Sequence, residues 1–288
     1  MRIFLITVFT LIATGVLILT ARIWGLGQSY ALFEHSFLKG NNPIFIAKVN
    51  DLSKAAEVLA LSPQIVLWLD VRFSRDKVAF ILPKNRDVEF LSNKRQEQES
   101  NPSKPIMISG KLSEYPFEDI KSFYKDLATV AEFYSRYETS RFVLNIVDNV
   151  SDAHIALTDT LAKSNPNERT LIQSEALILM TSIKELKPQW VYGTSIPDLV
   201  RLLTFDSMYI LPTTQFKGDV FVAPFKVANR RAFNEDIILE MRRRNKKIFL
   251  GPIEDENQLA EARRLKADGY ITEDIQKLVS LLGQGPAL

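Results

Sequence analysis

The sequence predicts an α/β protein: a (β/α)8 TIM barrel with an insertion after its second strand, preceded by an N-terminal transmembrane helix. Three observations carry that prediction. Residues 3–21 run nineteen positions without a charge between Arg2 and Arg22, close to the ~20 apolar residues that cross a bilayer. Beyond them, eight short runs rich in β-branched and aromatic residues alternate with helical patterns, the mark of βα units around a parallel sheet. Eight such units close into a barrel of roughly 250 residues, about the length left once the apolar run is set aside.

Taken in order, residues 1–24 form the membrane segment, 25–42 a connector and 43–288 the barrel, with 73–114 inserted. A small-x-small site at Ser29-Tyr30-Ala31 lies well past the apolar run and past Arg22, so an uncleaved single-pass anchor is expected rather than a removed signal peptide. The resemblance of that anchor to a signal sequence places the barrel outside the cytoplasm, in the periplasm. The strands are expected at 44–48, 65–72, 142–147, 170–174, 190–193, 219–223, 247–251 and 269–272, and the helices at 52–61, 117–137, 152–163, 175–186, 196–203, 234–245, 256–266 and 274–282. Ile120, Phe123, Leu127, Val130, Ala131 and Tyr134 share one helical face, and Asp152 and Asn234 are expected N-caps. The insertion shows no helical period. It is expected to be part hairpin and part flexible, with 92–104 mobile because its only apolar residue is Pro102.

Composition narrows the function. A formal net charge of +2 and the lack of interleaved aromatic and basic residues argue against nucleic acid. The chain has no cysteine, which removes disulfides, thiolate catalysis, cysteine-ligated zinc and lipoprotein-type lipidation. No glycine-rich phosphate loop occurs. Neither Ser174 nor Thr272 has a histidine at a triad spacing.

Four strings, in order, carry a family resemblance: IVLWLDVRFSRDKVAFIL (65–82), FVLNIVDN (142–149), RTLIQSEALILMTSIKELKP (169–188) and ADGYITED (267–274). They resemble the glycerophosphodiester phosphodiesterases, a family of phospholipase C-like phosphodiesterase barrels of lipid metabolism, over roughly 43–282. The resemblance implies a TIM barrel and, at a complete site, phosphoric diester hydrolysis with a divalent cation. Measured against that family, this chain is a degenerate member. The histidine-arginine-glycine end of the first strand corresponds to Lys48, Val49 and Asn50. Trp68 stands where a metal-binding glutamate precedes the retained Asp70. Pro83 or Lys84 replaces the second histidine, and Val147 and Asn149 replace the acid and lysine of the third strand.

Phosphodiester cleavage needs a base, an acid for the leaving alkoxide and a cation to spread transition-state charge, so loss of hydrolysis is expected, with no bound metal. The polar residues near strand C-termini, where barrels place their sites, are Lys48, Asn50, Asp70, Arg72, Gln173 and Glu175, with Glu254 and Glu273. They are the candidate pocket for an anionic or phosphorylated polyol or a lipid head group. Alternatively, Lys48 pairs with Asp70 in a purely structural ion pair. A rearranged hydrolase would instead gather Ca or Mg on Asp70, Glu175 and Glu254 or Glu273. A third reading makes the barrel a spacer whose insertion docks an envelope protein. His35 and His154 are expected to be solvated, as are the cations Arg242, Arg243, Arg244, Lys246 and Lys247 at a helix end. Asp255 is expected to start a helix as its cap.

Overall fold

The computed structural model describes residues 1–40, 43–100, 110–227 and 229–283. Its strands are β1 (Ile44–Lys48), β2 (Val66–Phe73), β3 (Ala79–Ile81), β4 (Phe142–Ile146), β5 (Thr170–Ser174), β6 (Val191–Tyr192), β7 (Val220–Ala223), β8 (Lys226–Val227), β9 (Arg230–Arg231), β10 (Lys247–Leu250) and β11 (Gly269–Thr272). Eight of them run parallel in the order β6-β5-β4-β2-β1-β11-β10-β7, and β3 adds an antiparallel hairpin arm to β2. The ring is nearly closed: β6 and β7 form no ladder, but Asp219 N–H donates to the Tyr192 carbonyl at 2.7 Å and the Thr194 hydroxyl to the Val220 carbonyl at 3.0 Å. The expected barrel is therefore present, with strand positions within two residues of those read from the sequence.

The helices are α1 (Arg2–Leu26), α2 (Leu52–Leu61), α3 (Asp87–Ser100), α4 (Phe117–Phe123), α5 (Val130–Arg136), α6 (Ala153–Leu161), α7 (Leu177–Leu186), α8 (Ile196–Ser207), α9 (Glu235–Arg243), α10 (Glu256–Arg264) and α11 (Ile275–Leu282). Capping side chains start several of them just past a strand. Asp51, Ser195, Asn234, Asp255 and Asp274 each accept the backbone N–H three residues on, meeting donors a helix start leaves unpaired. Asp152 does not act as the expected cap: its φ is +62° and its carboxylate receives no capping hydrogen bond.

Two expectations in and just after the insertion are overturned. The stretch 117–137 is two helices, because the chain turns at Tyr124–Leu127 and restarts at a Thr129/Glu132 capping box. The polar stretch that lacked a helical period is helical from Asp87 to Ser100; residues 101–104 of the run expected to be mobile lie outside the described residues. What holds α3 is one aromatic rather than a periodic stripe. Phe90 is fully buried against Tyr115 and Phe123, at ring separations of 5.0 and 5.6 Å, in a small satellite core that includes Phe80, Leu82, Phe117 and Ile120.

Strand alternation divides the main core in two. Leu67, Leu69, Val71 and their counterparts face the helices, while Ile44, Ile46, Val66, Trp68, Val143, Leu171, Val191, Val222, Phe249 and Ile271 fill the barrel. The inner layer has one member from outside the barrel strands. Phe37, in the connector's 3-10 turn Ser36–Leu38, is fully buried among them. Arg141, one residue before β4, fixes that turn by donating to the carbonyls of Phe37 (2.7 Å) and Lys39 (2.9 Å). His35 is thereby corrected from a solvated linker residue to a cap. Its Nδ1 accepts the Phe37 N–H at 3.0 Å, and its Nε2 meets the Gln189 carbonyl at 3.0 Å.

Among the described residues, α1 is the one helix long and apolar enough to cross a membrane, with a mean hydropathy of 2.5 over its best window. Its last turn is built into the barrel. Gly25 packs so closely on Pro212 that a Cβ there would fall 2.4 Å from the Pro212 carbonyl carbon. Arg243 donates to the carbonyls of Gly25 (3.2 Å), Leu26 (3.2 Å) and Gln28 (2.8 Å), and Asn245 to that of Tyr30 (3.1 Å). The cations expected to be solvated at the end of α9 are thus all partnered. Arg244 is buried on Glu240 (2.6 Å) and the carbonyls of Thr214 and Leu211; Lys246 reaches the Gly218 carbonyl; Arg242 the Leu265 carbonyl (3.0 Å); and Lys247 Asp268 (2.8 Å).

Glu240 sits between Arg243 and Arg244 at 2.7 and 2.6 Å. Burial pushes its carboxyl up, but the hydrogen bonds and charges of the two arginines together outweigh this and hold it below the ordinary 4.5. A depressed folded-state pKa gives stability that is present above the unfolded value and is lost as pH falls through the folded one. Acid melting is therefore expected to include a Glu240 component below about pH 4.5. Glu240→Gln should lower the melting temperature at pH 7 and flatten its fall between pH 5 and 3, a range set by the group's ordinary value of 4.5; a fall as steep as in the unmodified chain would remove Glu240 from that account.

Candidate active site

The polar groups at the strand C-termini are laid out by register. Asp70 of β2 lies opposite Asn145 of β4, which lies opposite Gln173 of β5; Lys48 of β1 lies opposite Trp68 of β2. All five continue the inward-facing alternation of their strands, so they rise above the apolar barrel filling as the floor of its mouth. A cavity of about 420 Å³ opens there, lined by Lys48, Trp68, Asn145, Gln173, Glu175 and Thr194, with Ile196, Val222, Pro252 and Ile271 completing an apolar side.

One oxygen of the retained, half-buried acid is engaged by its neighbours. Asp70 Oδ1 accepts the Trp68 indole N–H at 2.9 Å and the Asn145 amide at 2.7 Å. The expected Lys48–Asp70 pair is not formed. Lys48 instead pairs with Glu273 at 2.9 Å, its ammonium 6.0 Å from the centre of the Trp68 ring. The Gln173 amide is spent on backbone: Nε2 donates to the Thr194 carbonyl at 2.7 Å and Oε1 accepts the Thr194 N–H at 3.0 Å. That pairing requires Gly193, where a Cβ would fall 2.0 Å from Gln173 Oε1. At the rim, exposed Lys84 and Glu175 meet at 3.2 Å.

The remaining candidates lie elsewhere. Arg72 is buried beneath the insertion, bonded to Asp148 (3.2 Å), Asp87 (3.3 Å) and the Lys84 carbonyl (2.8 Å). Burial pushes the Asp148 carboxyl up, with Arg72 opposing that shift. Asn50 is exposed and lines a separate cleft against Pro83, Arg86 and Tyr124. Glu254 is exposed beyond β10. His154 is half-buried in the first turn of α6 and borders none of the mouth.

These residues do not fit a divalent cation. Among the described residues, no three His, Asp or Glu side chains converge. The constellation of Asp70, Glu175 and Glu254 or Glu273 is therefore not assembled, because Glu175 and Glu273 are turned to lysines. A hard cation takes about six to eight oxygen ligands, and here an indole occupies the space beside the one acid on the floor. Sequence reasoning missed Asn145 and Thr194. The inward parity of Asn145 in FVLNI was a usable signal; nothing local in the sequence marks Thr194, which enters through the Gln173 pairing.

No family model matches the sequence, and no curated protein does. Solved structures do match. The chain is similar to a glycerophosphoryl diester phosphodiesterase domain from Mycobacterium tuberculosis, with a TM-score of 0.60 at 11% identity over 85% of this chain and 100% of that one. It is also similar to the Thermotoga maritima glycerophosphodiester phosphodiesterase, with a TM-score of 0.56 at 15% identity over 84% and 100%. An Oleispira antarctica phosphodiesterase, solved with the product sn-glycerol-3-phosphate, matches with a TM-score of 0.57 at 17% identity over 84% and 97%. From end to end of those domains, the chain has the barrel fold of glycerophosphodiester phosphodiesterases.

Proposed function

We propose that this chain is a membrane-anchored, degenerate member of the glycerophosphodiester phosphodiesterase family that has lost hydrolysis and binds a ligand at its barrel mouth in the cell envelope. The observation that carries this reading is the Trp68–Asp70–Asn145 cluster. One oxygen of the acid that would serve a cation is occupied by two protein donors at 2.9 and 2.7 Å, and neither of the chain's two histidines lines the cavity. With no histidine on the floor and no cation ligand set among the described residues, Lys48 and Asp70 remain, each already hydrogen-bonded within the protein, and the base, acid and charge-spreading terms of phosphodiester cleavage lack the carriers that the resemblance implies.

The cavity has the size of a small-molecule pocket and joins an apolar wall to a few polar groups. Its cations are Lys48 on the floor and Lys84 at the rim, each already balanced by a glutamate. An anionic or phosphorylated polyol suits them by displacing Glu273 or Glu175. Support for retention of α1 as an anchor comes from its last turn: cleavage after Ala31 would remove Gly25 to Tyr30 and with them the carbonyls that Arg243 and Asn245 meet there. A periplasmic position for the barrel follows from the signal-like character of that helix.

The test uses the full chain in detergent with glycerophosphodiesters and added Ca²⁺ or Mg²⁺. No release of glycerol phosphate above buffer is expected, with or without Asp70→Ala. Trp68→Glu alone is expected to stay inactive, because both family histidines are still missing. Metal-dependent turnover abolished by Asp70→Ala would overturn the proposal.

A further inference from the structure

The last turns of α1 and the adjoining parts of α8 and α9 enclose a second cleft, of about 400 Å³, whose walls include Arg22, Leu26, Asp206, Tyr209, Asp236 and Leu239. We propose that this cleft seats the head group of an aminophospholipid, the phosphate on Arg22 and the primary ammonium between Asp206 and Asp236. The inference rests on the reading of α1 as a membrane anchor.

Depth in the bilayer is the first argument. Arg22 is the first charge after the uncharged run 3–21, and a cation bounding a spanning helix lies at the head-group level. The cleft that Arg22 lines, held rigidly to the helix by the Gly25–Pro212 contact and the Arg243 hydrogen bonds, is at that level too. Its surroundings suit the same depth. Large side chains stand exposed around the joint, Trp24 at 62%, Tyr209 at 70% and Leu239 at 63%, and aromatic residues flanking a span are characteristic of the bilayer interface.

Charge chooses the head group. Arg22 makes one hydrogen bond, to the Tyr209 carbonyl at 3.2 Å, out of five guanidinium N–H donors, and the rest suit phosphate oxygens. Arg243 and Glu240, also on the wall, are consumed by each other and by the anchor carbonyls. Asp206 accepts one hydrogen bond, from Asn234 at 2.9 Å, and Asp236 is exposed with no ion pair among the described residues. Two carboxylates beside one available arginine repel a head group carrying only negative charge. They favour one that pairs its phosphate with a cation, and a primary ammonium can donate hydrogen bonds to both where a quaternary one cannot.

The chain has no cysteine, so a single probe can be placed cleanly. The full chain carrying Met208→Cys, beside the cleft, or Val88→Cys, on the insertion across the barrel, is labelled with an environment-sensitive fluorophore and reconstituted in phosphatidylcholine vesicles. A minor fraction of phosphatidylethanolamine is then titrated in, with phosphatidylglycerol as the parallel arm. A saturable change is expected at position 208 with phosphatidylethanolamine only, and none at position 88. Arg22→Gln and Asp236→Asn should each abolish that change while the chain still floats with the vesicles. An equal response to both lipids, or no response from a chain that floats, overturns the head-group site and leaves the anchor standing. A chain that fails to float with vesicles overturns the anchor and the site together.

Discussion

Phe37→Ala is expected to destabilise the chain by about 3–5 kcal/mol, the usual cost of truncating a fully buried aromatic. The side chain enters the barrel from the connector and packs in the same layer as Ile44, Val66, Val143 and Phe249. Alanine would open a void in a ring of strands whose hydrogen-bonded register leaves little room to collapse, so the cost should lie toward the upper end. The check is urea unfolding of the full chain in detergent, followed by tryptophan fluorescence. Phe37→Leu should recover more than half of the loss, since it refills most of the space with apolar volume. A chain starting at Pro43 should unfold as readily as Phe37→Ala, and one that keeps His35 and Phe37 should not. An unchanged midpoint for Phe37→Ala would mean that the plug is dispensable and the strands alone close the base of the barrel.

The barrel was legible because its signals are local and repeated. Each barrel strand is a short β-branched run, and most of the following helices open on an Asp, Asn or Ser cap, so alternation alone gave the eight barrel strands and nearly all their boundaries. What escaped the sequence depends on contacts between distant residues. Phe37 is one of several apolar residues in the connector, beside Leu32, Phe33 and Leu38, and nothing local marks it for the core, where Arg141 holds its carbonyl. The helix Asp87–Ser100 has no stripe to reveal it, because Phe90 is its one fully buried side chain among the described residues and Asp87 ties its start to Arg72. The arginines that end α9 matched a solvated helix terminus until the last turn of α1 presented carbonyls to one of them.

The mouth divides along the same line. Lys48, Asp70 and Gln173 were picked out by their place near strand C-termini, and in the structure the pleat turns all three to the inner face. Pairing was not legible. Asp70 takes its donors from Trp68 and Asn145, and Lys48 goes to Glu273, because which inward side chains meet is set by strand stagger and side-chain length. The resemblance implies that the family's reactive groups have no counterparts here, and the hydrogen bonds show what the side chains at the mouth do instead. An indole and an amide share one oxygen of Asp70.

Arg72→Ala is expected to cost about 3 kcal/mol at neutral pH, the lower end of the range for removing one partner of a buried ion pair. The guanidinium is 3% exposed, between Asp148 at 18% and Asp87 at 31%; the partners' partial access to water holds the cost down. Its loss would leave Asp148 bonded chiefly to the Phe73 N–H at 3.4 Å, with burial raising its carboxyl against that one hydrogen bond. A raised folded-state pKa makes the ionised acid a liability above the unfolded value, one that is relieved as pH falls. The deficit of Arg72→Ala should therefore shrink on acidification from pH 7 toward the ordinary value of 3.8. Asp148→Asn in the same chain should recover part of it at pH 7, so that the double variant loses less than the two single losses added together. The result also decides what Arg72 is for. Its position near a strand C-terminus suited an anion-binding residue, yet its Nη1 and Nη2 are bonded within the protein and its buried Nε has no partner. A stability loss of this size, with its pH signature, assigns the side chain to clamping the insertion onto the barrel. An unchanged melting temperature with weakened binding of glycerol phosphate would return Arg72 to the ligand.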